Sequence, residues 1–129
     1  MYDNTEIRVL EQIYLRPGIH KRELAKMLSL SMPSIDYSLK KLNRFVLKHH
    51  SGNQIQYSLN YATGAITPFL YAVEYRRLEK LPLNIKRSLR EFIKELKDKP
   101  LLSILFGSYV SGRYTSSSDV DILLVFQKL

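Results

Sequence analysis

With 129 residues the chain has room for one ordinary domain or two very small ones, and its 45% hydrophobic content is enough for globular folding. No apolar run approaches the ~20 residues of a membrane span, and the absence of cysteine excludes disulfides and thiolate metal sites and fits a cytoplasmic protein. A net charge of +8 makes polyanions, nucleic acid first among them, the leading partner class, against the plainer alternative of a basic protein with solvated faces.

The polar start Met1-Tyr2-Asp3-Asn4-Thr5-Glu6 is no signal peptide. Ile7, Leu10, Ile13 and Tyr14 then recur at helical spacing, and Arg16-Pro17-Gly18 closes this first helix. A second helix is predicted over residues 20–28, with Leu24, Ala25 and Leu28 on one face and Lys21, Arg22 and Lys26 mostly away from it. Ser31 is a good N-cap for a third helix, in whose first turn Pro33 is tolerated because its missing N–H has no partner to lose. There Ile35, Leu39 and Leu42 form the buried stripe, and Ser34, Tyr37, Lys41 and Arg44 the opposite one. Residues 46–50 and 54–59 read as two strands about Ser51-Gly52-Asn53, a hairpin loop.

Three helices, a tight turn before the third and then a hairpin resemble the winged helix-turn-helix family over residues 4–60. The resemblance implies that the third helix enters the major groove of double-stranded DNA while the wing follows the backbone. It assigns base-edge or phosphate contacts to Ser34, Tyr37, Ser38 and Lys41, and backbone-positioning contacts to Lys40, Arg44, Lys48, His49 and Asn53. Asp36 sits uneasily beside phosphate. Winged helices also serve as protein-contact or structural modules, so that alternative stands. His49 and His50 are adjacent on a strand, point to opposite faces and are not expected to share a metal, while His20 opens the second helix.

Residues 61–100 contain no low-complexity linker. Ile66, Phe69, Leu70, Val73, Leu78 and Leu81 mark a helix over residues 65–81, with Tyr71 and Tyr75 one turn apart as a possible homodimer seam. After Pro82 a further helix carries Ile85, Leu89, Phe92, Ile93 and Leu96 in register, opposite Lys86, Arg87, Arg90, Lys94 and Lys97. Residues 1–60 hold nine Lys/Arg against five Asp/Glu, residues 61–100 again nine against five, and residues 101–129 two against two. The basic character therefore lies wholly ahead of the last thirty residues.

Leu101 to Phe106 reads as a strand buried on both faces. Gly107 permits close backbone approach, and Ser108 offers a hydroxyl where a short helix begins at Tyr109, a start that favours phosphate oxygens. Thr115-Ser116-Ser117-Ser118 is a polar turn, after which a strand over residues 119–126 places Asp119 and Asp121 on one face by its period of two. Two carboxylates so placed suit one or two Mg²⁺ ions. The plainer alternative is a simple turn with locally paired aspartates.

Phe106-Gly107-Ser108-Tyr109, Gly112-Arg113 and Ser118-Asp119-Val120-Asp121 together resemble the DNA polymerase β-type nucleotidyltransferase superfamily, in particular its minimal prokaryotic branch. The resemblance implies that Gly107, Ser108 and Ser118 bind a nucleoside triphosphate. It makes Asp119 and Asp121 the catalytic, Mg²⁺-binding pair. Family members usually add a third carboxylate on a later strand, whereas here no Asp or Glu follows Asp121. A fragment, a site completed by another subunit and a relic all remain open.

The sequence thus reads as an α+β protein with a winged helix-turn-helix at 1–61, a connecting helix at 62–82 and a truncated α/β nucleotidyltransferase-like unit at 83–129. The leading expectation is a DNA-binding transcriptional regulator, a homodimer whose C-terminal unit binds NTP or a partner. The alternative is a Mg²⁺-dependent nucleotidyltransferase acting on a protein or small-molecule hydroxyl, beside a helical protein partner, with no membrane role.

Overall fold

The computed structural model describes residues 4–128; the start of the polar N-terminal stretch (residues 1–3) and Leu129 lie outside the described residues. The elements in chain order are α1 (Asn4–Leu15), β1 (Ile19–His20), α2 (Lys21–Leu28), α3 (Met32–Lys41), β2 (Val46–Ser51) and β3 (Gln54–Leu59). After a 3₁₀ turn at Gly64–Ile66 come α4 (Thr67–Glu79), α5 (Leu83–Glu95), β4 (Leu102–Phe106), α6 (Ser108–Ser111) and β5 (Asp121–Val125). The chain divides into two compact units, with the boundary inside α4 between Arg76 and Arg77.

In the first unit, one closed apolar cluster gathers the helices and the sheet. Val9, Leu10 and Ile13 of α1 meet Leu24 and Leu28 of α2, Ile35 and Leu39 of α3, and Tyr57 and Leu59 of β3, all at most 5% exposed. Each fully buried aliphatic side chain stabilises the fold by roughly 1.5–3 kcal/mol. Leu42 and Phe45, in the turn after α3, join the cluster, and the Phe45 ring lies 4.8 Å from that of Phe69 in α4. The first part of α4 thereby packs into this unit, and Tyr14 donates a 2.7 Å hydrogen bond to Glu74.

Local chemistry sets the helix ends. Ser31, in extended conformation, accepts a hydrogen bond from the Ser34 amide at 3.3 Å, with Pro33 in the first turn of α3. α2 stops at Ser29, a left-handed residue (φ 53°), and the Leu30 amide reaches back to the Ala25 carbonyl at 3.0 Å. Gly18 (φ 88°) turns the chain after α1 and donates to the Tyr57 carbonyl at 2.9 Å. That bond starts β1, which pairs antiparallel with β3 through Ile19↔Tyr57 and His20↔Gln56 and completes a sheet of order β1-β3-β2. A two-residue strand leaves no periodic trace, so the sequence shows the β2–β3 hairpin and not its third member.

In the second unit, the Lys99 ammonium donates to the carbonyls of Ile93, Lys94 and Leu96 at 2.7–2.8 Å and closes the C-terminal end of α5. β4 and β5 pair antiparallel from Leu102↔Val125 to Phe106↔Asp121. The expectation of a strand buried on both faces is corrected here: Leu102, Ile104 and Phe106 are 53%, 40% and 51% exposed. An apolar run reports composition, and coverage depends on what packs against it; among the described residues this sheet has two strands. The strand expected over 119–126 is also shorter, beginning at Asp121, because the tight Thr115–Ser118 turn holds the chain before it.

The first unit sets the scale for substitutions. Ile35→Ala, which empties a fully buried site, is expected to cost about 2–5 kcal/mol, and Ser31→Ala, which removes a cap, about 1 kcal/mol. Denaturant unfolding followed through helix signal reads both, and equal costs for the two would contradict this assignment of core and cap.

Candidate nucleic-acid interface and nucleotide site

Because Ile35, Leu39 and Leu42 face the core, the opposite side of α3 is presented outward. Tyr37 is 63% exposed, Lys40 is exposed, and Ser34 and Lys41 are half-buried. Arg44 lies in the turn beyond α3, exposed, with its guanidinium 5.4 Å from the Phe45 ring centroid. Lys48, His49 and Asn53 are exposed on the β2–β3 wing, and β2 and β3 pair with Lys48↔Tyr57 and His49↔Gln56. Ser38 is 1% exposed and lines a cavity with Glu6, Ser34 and Tyr37. Asp36, which sits uneasily beside phosphate, forms an ion pair with Lys21 of α2. The hydrogen bond to Asp36 raises the Lys21 ammonium above its usual 10.5, more than partial burial lowers it.

Two buried carboxylates were not foreseen. Glu6 and Glu11 of α1 are 1% and 2% exposed. Glu6 lies 3.5 Å from the Lys41 ammonium, and Glu11 lies 3.5 Å from the Arg76 guanidinium of α4. The signal was present as charged residues on the apolar stripe of α1, and their partners are distant in sequence. His20 caps the start of α2, and its ring nitrogen bonds the Ile55 carbonyl at 3.2 Å.

In the second unit β4 runs into Gly107 and α6. Gly107 has φ 82° and ψ −150°, a conformation essentially restricted to glycine. A β-carbon there would meet the Asp121 carboxylate and force that side chain to move, while the backbone conformation itself calls for glycine. The antiparallel register explains the contact, since Asp121 stands opposite Phe106. Ser108 opens α6 and is half-buried, and Gly112 (φ 78°) ends it. Stacking of Tyr109 on Tyr114, with ring centroids 4.6 Å apart, pins the following loop to α6. Ser118 accepts a 2.7 Å bond from the Thr115 amide and so is spent partly on its own turn. Asp119 is exposed and precedes β5, so strand alternation does not fix its side. Among the described residues no cluster of three His, Cys, Asp or Glu side chains forms. Mg²⁺ needs fewer protein ligands, since one or two carboxylates with water and phosphate oxygens complete its shell.

The fold is α+β, a winged-helix unit followed by a smaller unit that holds the β4–β5 pair. Residues 86–129 match the nucleotidyltransferase domain family. A candidate protein adenylyltransferase of Methanocaldococcus jannaschii is 45% identical over 47 residues, 33% of this chain and 47% of that protein. The chain thus spans about half the length of that relative. Among solved structures, MarR is similar at TM-score 0.50 and 18% identity, over 72% of this chain and 74% of the other. A probable transcriptional regulator from Pseudomonas aeruginosa is similar at TM-score 0.50 and 17% identity, over 72% and 76%. These likenesses support a winged-helix fold. No described helix is long and apolar enough to cross a membrane.

Two outcomes follow for the sites. Gly107→Ala is expected to cost about 1–3 kcal/mol through backbone strain alone, with the carboxylate collision added to it. Thermal unfolding resolved for the second unit measures it, and an unchanged transition would rule out the strained backbone at position 107. For Lys21, a raised folded pKa means that its stabilisation is complete below 10.5 and is lost as pH rises through the higher folded value. Because the pair is largely exposed, Asp36→Asn is expected to cost about 0–1 kcal/mol at neutral pH. The difference between the two proteins, read by urea titration, should vanish at strongly alkaline pH.

Proposed function

We propose that the chain is a DNA-binding regulator whose second unit binds a nucleoside triphosphate. One observation carries the DNA reading: α3 buries Ile35 and Leu39 while holding Tyr37 and Lys40 outward, and the wing bears Lys48, His49 and Asn53 in exposed positions. Lys40, Arg44 and Lys48 supply phosphate contacts, Asn53 a backbone contact at the wing tip, and Ser34 and Tyr37 reach toward base edges. The net charge of +8 supports association with duplex DNA. A homodimer seated through the exposed Tyr71 and Tyr75, working in the cytoplasm, belongs to the same proposal.

The nucleotide reading rests on the Gly107–Asp121 approach. A glycine that leaves the backbone bare ahead of the Ser108 and Tyr109 amides suits phosphate oxygens, with the Ser108 hydroxyl and the Ser118 turn at the rim. Asp119 and Asp121 would hold Mg²⁺, which when bound neutralises charge on the phosphates. The match over residues 86–129 and the name of the M. jannaschii relative favour a second reading, transfer of a nucleotidyl group to a protein hydroxyl. In that reading the aspartates are the catalytic pair, and a helical protein partner presents or completes the acceptor site.

Two experiments test these assignments. Affinity for duplex DNA should fall steeply with salt, and each of Lys40→Ala, Arg44→Ala and Lys48→Ala should lower the slope of log K against log[salt] by roughly one. Binding that is absent at low salt, or indifferent to salt, would end the regulator reading. Mg²⁺–ATP at 100 times its Kd should stabilise the second unit by about 2.7 kcal/mol. Asp121→Asn should abolish the gain. Stabilisation that survives the substitution would place the nucleotide elsewhere, and transfer of label from ATP to a protein acceptor would favour the enzyme.

A further inference from the structure

We propose that Glu6 is a positioning residue for the recognition surface, acting through Lys41 to hold the Tyr37 ring where it can read a base edge; this deepens the DNA-binding reading above and rests on it. Glu6 belongs to α1 and is 1% exposed, and a carboxylate is almost never buried to that degree without a partner. One partner is the Lys41 ammonium at 3.5 Å, thirty-five residues along the chain in the last turn of α3. The same ammonium lies 5.1 Å from the centroid of the Tyr37 ring, one helical turn earlier. A cation at that distance over an aromatic face is held by the ring quadrupole. Glu6, Ser34 and Tyr37 also line one cavity of about 370 Å³ beside α3. The carboxylate, the ammonium and the ring therefore form a relay from the core to the surface.

The relay changes what Lys41 contributes. Its charge is balanced by Glu6, so it offers a phosphate less attraction than the exposed Lys40 does. Its contribution is geometric, because it restricts the rotamer of an exposed tyrosine before any ligand arrives. A large side chain fixed in advance loses less entropy on binding than a free one, which favours discrimination over bulk affinity. Tyr37, with a hydroxyl that both donates and accepts, is on this account the residue that sets sequence preference.

The full-length chain tests this in two measurements. Without DNA, the Lys41 side-chain protons should carry an upfield ring-current shift in the NMR spectrum that collapses in both Glu6→Gln and Tyr37→Leu. With DNA, a duplex selected by the wild-type chain from a random pool is compared with a random duplex of equal length. Glu6→Gln should lower the preference for the selected duplex about tenfold, Tyr37→Leu should do the same, and the double variant should lose no more than either. Affinity for the random duplex should hold or rise, because one negative charge has gone. Equal loss on both duplexes, additive effects in the double variant, or a ring-current shift that survives Glu6→Gln would overturn the proposal. Should Glu6→Gln fail to fold, Lys41→Gln with Tyr37→Leu supplies the same cycle from the exposed side. A wild-type chain that binds no duplex, with the ring-current shift present and lost in Glu6→Gln, overturns the DNA reading and leaves the relay standing.

Discussion

Everything the first unit can do depends on a single closed apolar cluster that takes one stripe from each helix and one face of the sheet. Once Ile35, Leu39 and Leu42 are committed to that cluster, the rotation of α3 about its axis is fixed, and so is the set of side chains that it presents outward. The cluster also explains why α1 can afford two buried glutamates. Glu6 and Glu11 flank Val9 and Leu10 and point toward Lys41 on α3 and Arg76 on α4, so that the first helix is tied electrostatically to two others. Such pairs add little net stability over apolar substitutes, and their value lies in specifying which neighbour sits where.

The second unit is organised differently. Among its described residues only Ile85 and Tyr109 are buried hydrophobics, and the apolar residues of β4 and β5 retain substantial exposure. Order there comes from local devices: the Lys99 ammonium closing α5, the Tyr109–Tyr114 stack, the hydrogen-bonded Thr115–Ser118 turn, and the antiparallel register that sets Asp121 against Gly107. A two-stranded sheet gains limited stability by itself, so these short-range contacts define the geometry around the aspartates.

Much of this was legible in the sequence, and the illegible parts share a cause. The helices, the wing and the Ser31 cap follow from periodicity and local hydrogen-bond chemistry, which a linear reading sees directly. Long-range pairing was invisible. β1 exists because Gly18 meets Tyr57, Glu6 has a cation beside it because Lys41 reaches it, and Asp36 is paired because Lys21 lies against it. Ser38 looked like a surface hydroxyl because serine usually is one, yet it is 1% exposed. In the candidate nucleotide site, residue types and spacing were readable. The start of β5 at Asp121, and hence the different standing of the two aspartates, was not.

The contact between Gly107 and Asp121 has a consequence for descent. Position 107 is held to glycine by its own backbone geometry, and the Asp121 carboxylate occupies the space that a side chain there would need. In a lineage that still uses the aspartate, drift at position 107 is closed off. A lineage that has abandoned it is released at 121 first, and only then, with a change of turn, at 107. The order in which these two positions can change is therefore set by geometry, 121 before 107.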